Sequence, residues 1–199
     1  STVSLGESLE SIGKEAFNNC TSLSSVSLPE SLTEIKDYAF YETGLTAISL
    51  PSSLKTIGID AFTGTKLTTV TIPASVTKMS GNTFEDCSNL EEINVDSGNP
   101  KYESKDGILY DKGMRTLLAY PGGREKCEIP STIESIGSYA FGGCRKLETV
   151  VIPENVVGMG YMAFSDCSNI QRLTIPGKVK EIGSSAFYDL RNLKEVYYN

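Results

Sequence analysis

The amino-acid sequence repeats with a period of 22 or 23 residues, and this periodicity restricts the fold more than any other feature. A Phe preceded by Ala or Thr recurs at Phe17, Phe40, Phe62, Phe84, Phe141, Phe164 and Phe187. The intervals are 23, 22, 22, 57, 23 and 23 residues. A unit of this length cannot bury its own apolar face, so consecutive units must stack and share one core. The chain is therefore predicted to form a solenoid.

Each repeat has the pattern L-x-x-V-x-L-P-x-x-L-x-x-I-G-x-x-A-F-x-x-C. The segment L-x-x-V-x-L predicts a short parallel strand, which ends at a Pro because Pro has no N–H for the ladder. The second apolar pair, such as Leu54 and Ile57, is expected on the opposite wall. The A-F-x-x-C segment is expected to form a turn of α or 3₁₀ helix. Lys36 and Ser80 replace the Gly, which favours close packing over a required positive φ.

Four of the five Cys residues lie three residues after a repeat Phe: Cys20, Cys87, Cys144 and Cys167. A residue type that recurs at one repeat position is most simply a small, buried core residue. Disulfides, a metal site and a reactive thiol are the alternatives, although the C-x-x-C pairs of a zinc site are absent. The fifth, Cys127, takes the Val position of its strand.

The composition restricts the chemistry. The chain has no His, which removes Ser-His-Asp and Cys-His nucleophile systems, His-ligated zinc and an imidazole pH switch. Its 18 basic and 25 acidic residues give a net charge of −7, which argues against nucleic acid as a partner. No apolar run approaches the ~20 residues of a membrane span. We expect no enzyme, no catalytic, cofactor-binding or metal-ligating residues, and no membrane insertion.

The strings L-x-x-V-x-L-P and I-G-x-x-A-F-x-x-C resemble the repeats of the BspA-like, treponemal-type leucine-rich repeat family of bacterial surface proteins. The resemblance implies an α/β repeat solenoid of short parallel strands with short helical or 3₁₀ turns. It also implies a secreted or cell-surface location in a host-associated bacterium, and adhesion to host proteins or to other bacteria. We expect residues 1–199 to form one monomeric solenoid that belongs to a longer protein.

An irregular insert at residues 96–128 interrupts the repeat. Apolar runs at 108–110 and 116–120 flank a five-residue loop that contains Gly, which predicts a β-hairpin. Asp106 and Asp111 lack the spacing of a calcium-binding loop, so they indicate turns rather than a metal site.

Two interpretations of the insert remain open. Tyr and Arg are enriched at protein interfaces, so Tyr102, Tyr110 and Tyr120 favour a recognition surface. The alternative is a variant repeat whose tyrosines pack against the solenoid, and the family resemblance favours this second interpretation.

The outward strand positions change character along the chain. Early repeats place small hydroxyl side chains there, such as Ser27 and Thr71, which offer few anchors. Larger and charged side chains appear in the later repeats. The predicted partner-binding surface comprises Tyr110, Arg115, Tyr120, Glu148, Gln171, Arg172 and Tyr197.

Two functions fit these features. The first is a non-enzymatic interaction or adhesion module that binds host extracellular or bacterial proteins through one face of the solenoid. The second is a structural spacer or stalk, which predicts no ligand and tolerance of surface substitutions.

Overall fold

The chain folds as a parallel β-solenoid of about nine turns in a computed structural model that describes residues 1–199. Each solenoid turn, here called a rung, has two sides made of strands and a third made of tight turns. The strands are β1 (Thr2–Ser4), β2 (Ser11–Ile12), β3 (Ser25–Ser27), β4 (Glu34–Ile35), β5 (Thr56–Ile57), β6 (Thr69–Ile72), β7 (Lys78–Met79), β8 (Glu92–Val95), β9 (Tyr102–Lys105), β10 (Ile108–Asp111), β11 (Thr116–Ala119), β12 (Lys126–Glu128), β13 (Ser135–Ile136), β14 (Thr149–Val151), β15 (Gly158–Met159), β16 (Arg172–Ile175), β17 (Glu181–Ile182) and β18 (Glu195–Tyr198).

Two walls of strands enclose the core. The wall built from L-x-x-V-x-L segments, here the β-face, contains the parallel pairs β1–β3, β6–β8, β12–β14 and β16–β18. Their inward side chains are in register, as Val70 opposite Ile93 shows. The opposite wall, here the short-strand face, has the orders β2–β4–β5–β7 and β9–β10–β11–β13–β15–β17. The predicted parallel strands and second wall are confirmed.

A proline turns the chain from one wall to the other. In each of six rungs its carbonyl oxygen accepts a hydrogen bond from the N–H three residues later, as Pro29 does from Leu32 at 3.1 Å. A residue with a fixed φ and no N–H both ends the strand and opens a β-turn. In five of these rungs a strand ends one or two residues before the Pro, as predicted, whereas no strand forms before Pro51.

The third side, here the turn face, contains no helix, so the predicted helical or 3₁₀ turn is not confirmed. Backbone N–H groups there alternate between two kinds of acceptor: Asn18 donates within its own turn to Glu15, while Phe17 donates to Ala39 of the next rung. Residues with positive φ interrupt any helical path, because a right-handed helix needs negative φ throughout. They are Glu15, Asn19, Tyr38, Glu42, Asp60, Gly64, Asp86, Tyr139, Gly143, Met162, Asp166, Ser185 and Asp189.

The Phe side chains stack inside the turn face as two aromatic columns. Ring centroids lie 5.2, 5.4 and 5.9 Å apart along the column from Phe17 to Phe84. In the column from Tyr120 to Phe187 they lie 5.0, 4.6 and 5.8 Å apart. The buried residues correspondingly form two hydrophobic clusters, one in each half of the solenoid.

The insert joins these two clusters. The predicted hairpin is confirmed as β10 and β11, and β9, which the sequence did not reveal, pairs antiparallel with the other edge of β10. Leu109 belongs to the first cluster, whereas Ile108 and Tyr110 belong to the second. The insert therefore supplies buried side chains to both clusters.

The aspartates of the insert form turns, as the sequence indicates. Asp106 and Gly107 both have positive φ, 52° and 71°, and connect β9 to β10 as a two-residue hairpin turn. The Asp111 carboxylate accepts hydrogen bonds from the backbone N–H groups of Arg115 at 2.9 Å and Thr116 at 2.6 Å.

Two tyrosines proposed as surface anchors are instead core residues. Tyr110 is 1% exposed and Tyr120 is 4% exposed. Tyr120 takes the place of the repeat Phe and stacks on Phe141 at 5.0 Å, while its hydroxyl donates to the carbonyl of Lys126. The recognition interpretation is therefore wrong for both residues, because an insert of this length stays attached to the stack by burying its large side chains. The variant-repeat interpretation is confirmed for them.

The repeated Cys side chains bond to the backbone between rungs. The thiol of Cys87 donates to the carbonyl of Phe62 at 3.1 Å, and that of Cys167 donates to the carbonyl of Phe141 at 3.0 Å. Four of the five Cys are buried and all five are free. Cys20 is exposed, so the core interpretation is wrong there.

This difference predicts the thiol reactivity of the native protein. Burial raises the pKa of the Cys87 thiol to about 11 and that of the Cys127 thiol to about 12, so neither forms thiolate at pH 8. We expect an aromatic disulfide reagent to modify one thiol quickly and the others only after unfolding. The fast phase should vanish in Cys20→Ser. Fast modification of more than one thiol would contradict the burial of these side chains.

Candidate functional site

Four of the predicted surface residues lie together at one end of the β-face. Arg172 lies on β16 and Tyr197 on β18, while Glu148 and Gln171 immediately precede β14 and β16. All four are exposed. We call the exposed residues of β14, β16 and β18, together with Glu148, Gln171 and Lys194, the late β-face.

Polar contacts connect the side chains of the late β-face. Arg172 pairs with Glu195 of the neighbouring strand at 2.7 Å, because the parallel register places the two residues directly opposite each other. Within β18 the hydroxyl of Tyr197 donates to the same carboxylate at 2.9 Å, and this contact raises the pKa of Tyr197. Lys194 donates to the side-chain oxygen of Gln171 at 3.2 Å.

An apolar strip runs beside this network. Val151 on β14 is 74% exposed and Tyr197 on β18 is 50% exposed. Thr174, which lies opposite Tyr197 in the parallel register, is on β16 between these two strands. The sequence analysis did not select Val151 and Glu195, although a 23-residue spacing is the signal that places Glu195 beside Arg172. A polar network beside exposed apolar and aromatic area has the composition of a protein interface.

The early part of the β-face is different. Its outward residues are mostly Ser and Thr, as predicted, and one pair, Thr2 and Ser25, is bonded at 3.0 Å between hydroxyl oxygens. The strand is interrupted at residues 46–50, where no ladder forms between β3 and β6. Short hydroxyl side chains offer a partner little area to bury.

Arg115 does not join the late β-face. It immediately precedes β11 on the short-strand face, where it pairs with Glu134. It lines a shallow groove of about 680 Å³ there, together with Asn155 and Lys178. The structure therefore divides the seven predicted residues into four on the late β-face, one on another wall and two in the core.

The structure contains neither a cluster of potential metal ligands nor a helix that could span a membrane. No group of three or more acidic or Cys side chains is positioned to hold a metal ion. No helix is both long enough and apolar enough to cross a bilayer.

A family model described as BspA type leucine-rich repeat region matches the chain in six copies, over residues 1–105 and 121–199. The segment between these ranges contains the hairpin of β10 and β11. No curated protein sequence matches the chain significantly.

Solved bacterial structures share the fold. A leucine-rich repeat protein from Eubacterium ventriosum is 29% identical, with a TM-score of 0.92 over 99% of this chain and 53% of that chain. The pneumococcal vaccine antigen PcpA is 23% identical, with a TM-score of 0.77 over 100% of this chain and 62% of that chain. A leucine-rich cell surface protein from Faecalibacterium prausnitzii is 25% identical, with a TM-score of 0.56 over 96% and 70%. The chain thus spans only part of the length of these proteins.

Proposed function

Because the chain belongs to the BspA-type leucine-rich repeat family, we propose that it is a non-enzymatic protein-interaction module of a bacterial surface or secreted protein. We propose that it binds host extracellular or bacterial proteins through its late β-face. The similarity to a cell surface protein of F. prausnitzii supports the location. The observation that carries the proposal is the exposed strip of Val151 and Tyr197 beside the Arg172–Glu195 pair.

The chemistry of this face suits a protein partner. Tyr and Arg dominate interface hot spots, and here both side chains are ordered by the same carboxylate before any partner arrives. Ordering in advance lowers the entropy cost of binding.

Alanine substitutions test the late β-face. We expect Arg172→Ala and Tyr197→Ala each to weaken binding to solubilised host extracellular matrix on the order of 30-fold, since truncating a hot-spot residue costs about 2 kcal/mol. Surface plasmon resonance on an immobilised matrix preparation measures the change. Ser27→Ala and Thr71→Ala are the matched controls, because both are exposed on the early part of the same wall.

The same experiment can reject the proposal. Loss of binding in the control variants alone would place the partner on the early β-face. If the intact protein binds neither matrix, serum proteins nor bacterial cells, the chain acts as a spacer that carries no ligand of its own.

A further inference from the structure

The turn face carries an aromatic and acidic surface that lies outside the late β-face. Two tyrosine pairs border it: the rings of Tyr38 and Tyr41 lie 5.7 Å apart, and those of Tyr139 and Tyr161 lie 5.3 Å apart in an edge-to-face arrangement. The two rungs between these pairs carry the carboxylates of Asp60 and Glu85, since Tyr38 donates its N–H to Ile59 and Gly64 donates its N–H to Glu85. We call these six residues, together with the exposed Ile59, the Tyr-acid patch.

The insert does not separate the members of this patch. On the turn face the rung of Glu85 stacks directly on the rung of Tyr139, because Asp86 donates its N–H to the carbonyl of Gly142 at 3.4 Å. The Glu85 side chain lies against Gly142, where a side chain larger than hydrogen would collide with it. The patch therefore crosses five consecutive rungs, a distance of about 20 Å at the usual spacing between strands.

The two central carboxylates have no cationic partner. Neither forms an ion pair: Asp60 accepts a hydrogen bond from Thr63 at 2.9 Å, and Glu85 accepts only a long one from Ser165 at 3.5 Å. Burial, followed by the charges of Asp86, Asp60 and Asp166, raises the pKa of Glu85 to about 7, and burial also raises the pKa of Asp60. Glu85 is therefore fully ionised only above pH 7. Because no cation of the protein pairs with either carboxylate, a cation supplied by a partner would stabilise the charged form of both.

Cations of the chain already occupy the edges of this surface. The Lys14 ammonium lies 5.9 Å over the ring of Tyr38, and Arg145 pairs with Asp86 at 2.9 Å. Cation–π contacts and charge-assisted hydrogen bonds are thus both available to a cation on this face. Tyr161 is 43% exposed and Ile59 is 45% exposed, which adds apolar area for the stem of a long basic side chain.

We propose that the Tyr-acid patch docks a basic segment of a partner polypeptide, with Lys or Arg side chains reaching Asp60 and Glu85 between the tyrosine rings. Charge complementarity selects the occupant, because unpaired carboxylates repel an acidic chain and gain from a basic one. About six extended residues span the patch, at about 3.3 Å per residue. This interaction does not depend on the late β-face, which lies on a different wall.

A labelled octapeptide of alternating Lys and Ser tests the proposal, with fluorescence anisotropy as the readout. We expect the Asp60→Asn, Glu85→Gln double variant to weaken binding at least 10-fold at pH 8, since both changes keep the shape and remove the charge. The control double variant Glu128→Gln, Glu154→Gln makes the same change in net charge at sites elsewhere on the surface, and it should change binding less than 2-fold. Arg172→Ala should leave peptide binding unchanged, which separates this result from the fate of the late β-face.

Tyr161→Ala provides a second test that does not depend on the charge variants folding normally. We expect it to weaken peptide binding about 3- to 10-fold, because it removes an exposed ring from the border of the patch. Equal weakening by both double variants, equal binding of an octapeptide with Glu in place of Lys, or no binding by the unmodified protein would each overturn the proposal.

Discussion

Phe62→Ala is expected to lower the free energy of unfolding by about 3–5 kcal/mol. Phe62 is fully buried, and its ring stacks between those of Phe40 at 5.4 Å and Phe84 at 5.9 Å. Removing it takes away apolar contact area and leaves a cavity that the two adjacent rungs cannot close. Denaturant unfolding monitored by circular dichroism measures the loss.

The position of the Phe within the stack sets the size of this effect. Phe17 has the same place in its rung but is only half-buried, because Phe40 covers it on one side alone. Phe17→Ala should therefore cost less than half as much as Phe62→Ala. Since rungs stabilise their neighbours, faster hydrogen exchange in Phe62→Ala should spread from the middle of the first half of the solenoid. A loss below about 1 kcal/mol would mean that the Phe column does not form the core.

Much of this fold could be predicted from the sequence, because residues one repeat apart in the sequence contact each other in neighbouring rungs. The intervals between Phe residues fix which side chains lie above one another, so both walls, the Pro turns and the Phe columns follow from the periodicity. The same logic places Arg172 beside Glu195, which are 23 residues apart. The sequence could not show that the carboxylate also receives the Tyr197 hydroxyl, because that contact depends on side-chain rotamers.

The turn face could not be predicted in the same way. The A-F-x-x-C segment begins with a good helix former, and local preference allows a helical turn. In the structure, carbonyl groups of the neighbouring rung accept backbone hydrogen bonds that a helix would direct within its own segment, as when Phe17 donates its N–H to the carbonyl of Ala39. Such long-range hydrogen bonds require residues like Tyr38 and Met162 to adopt positive φ, for which their side chains give no signal. The Tyr-acid patch depends on this backbone path and was missed for the same reason.

In the insert the hairpin was predicted correctly, but the proposed role of Tyr110 and Tyr120 as surface anchors was wrong. The runs around Gly113 did indicate a hairpin, and Asp106 with Gly107 did indicate a turn. The composition of the segment did not reveal that β10 supplies side chains to two separate core clusters. Tyr110 is buried because it belongs to the second of these clusters. An aromatic residue in a polar segment looks the same in the sequence whether it contacts a partner or packs in a core.

Gly160→Ala is expected to lower the free energy of unfolding by about 2–3 kcal/mol, an overpacking cost. A Cβ at Gly160 would lie 2.4 Å from the backbone nitrogen of Ser138 in the preceding rung, and backbone atoms within a hydrogen-bonded stack cannot move away cheaply. Its φ is not positive, so the penalty comes from packing alone, as the sequence suggested for this repeat position.

Gly13 is the matched control for this prediction, because it has the same repeat position in the first rung and nothing lies within 4 Å of the place that a Cβ would take there. Gly13→Ala should therefore be neutral or stabilising by about 0.4–1 kcal/mol, since Ala restricts the unfolded chain. The same substitution at one repeat position then has opposite signs in two rungs, which local conformational preference cannot produce. Equal effects at Gly13 and Gly160, measured by denaturant unfolding, would show that intrinsic backbone preference rather than contact between rungs selects Gly at this position.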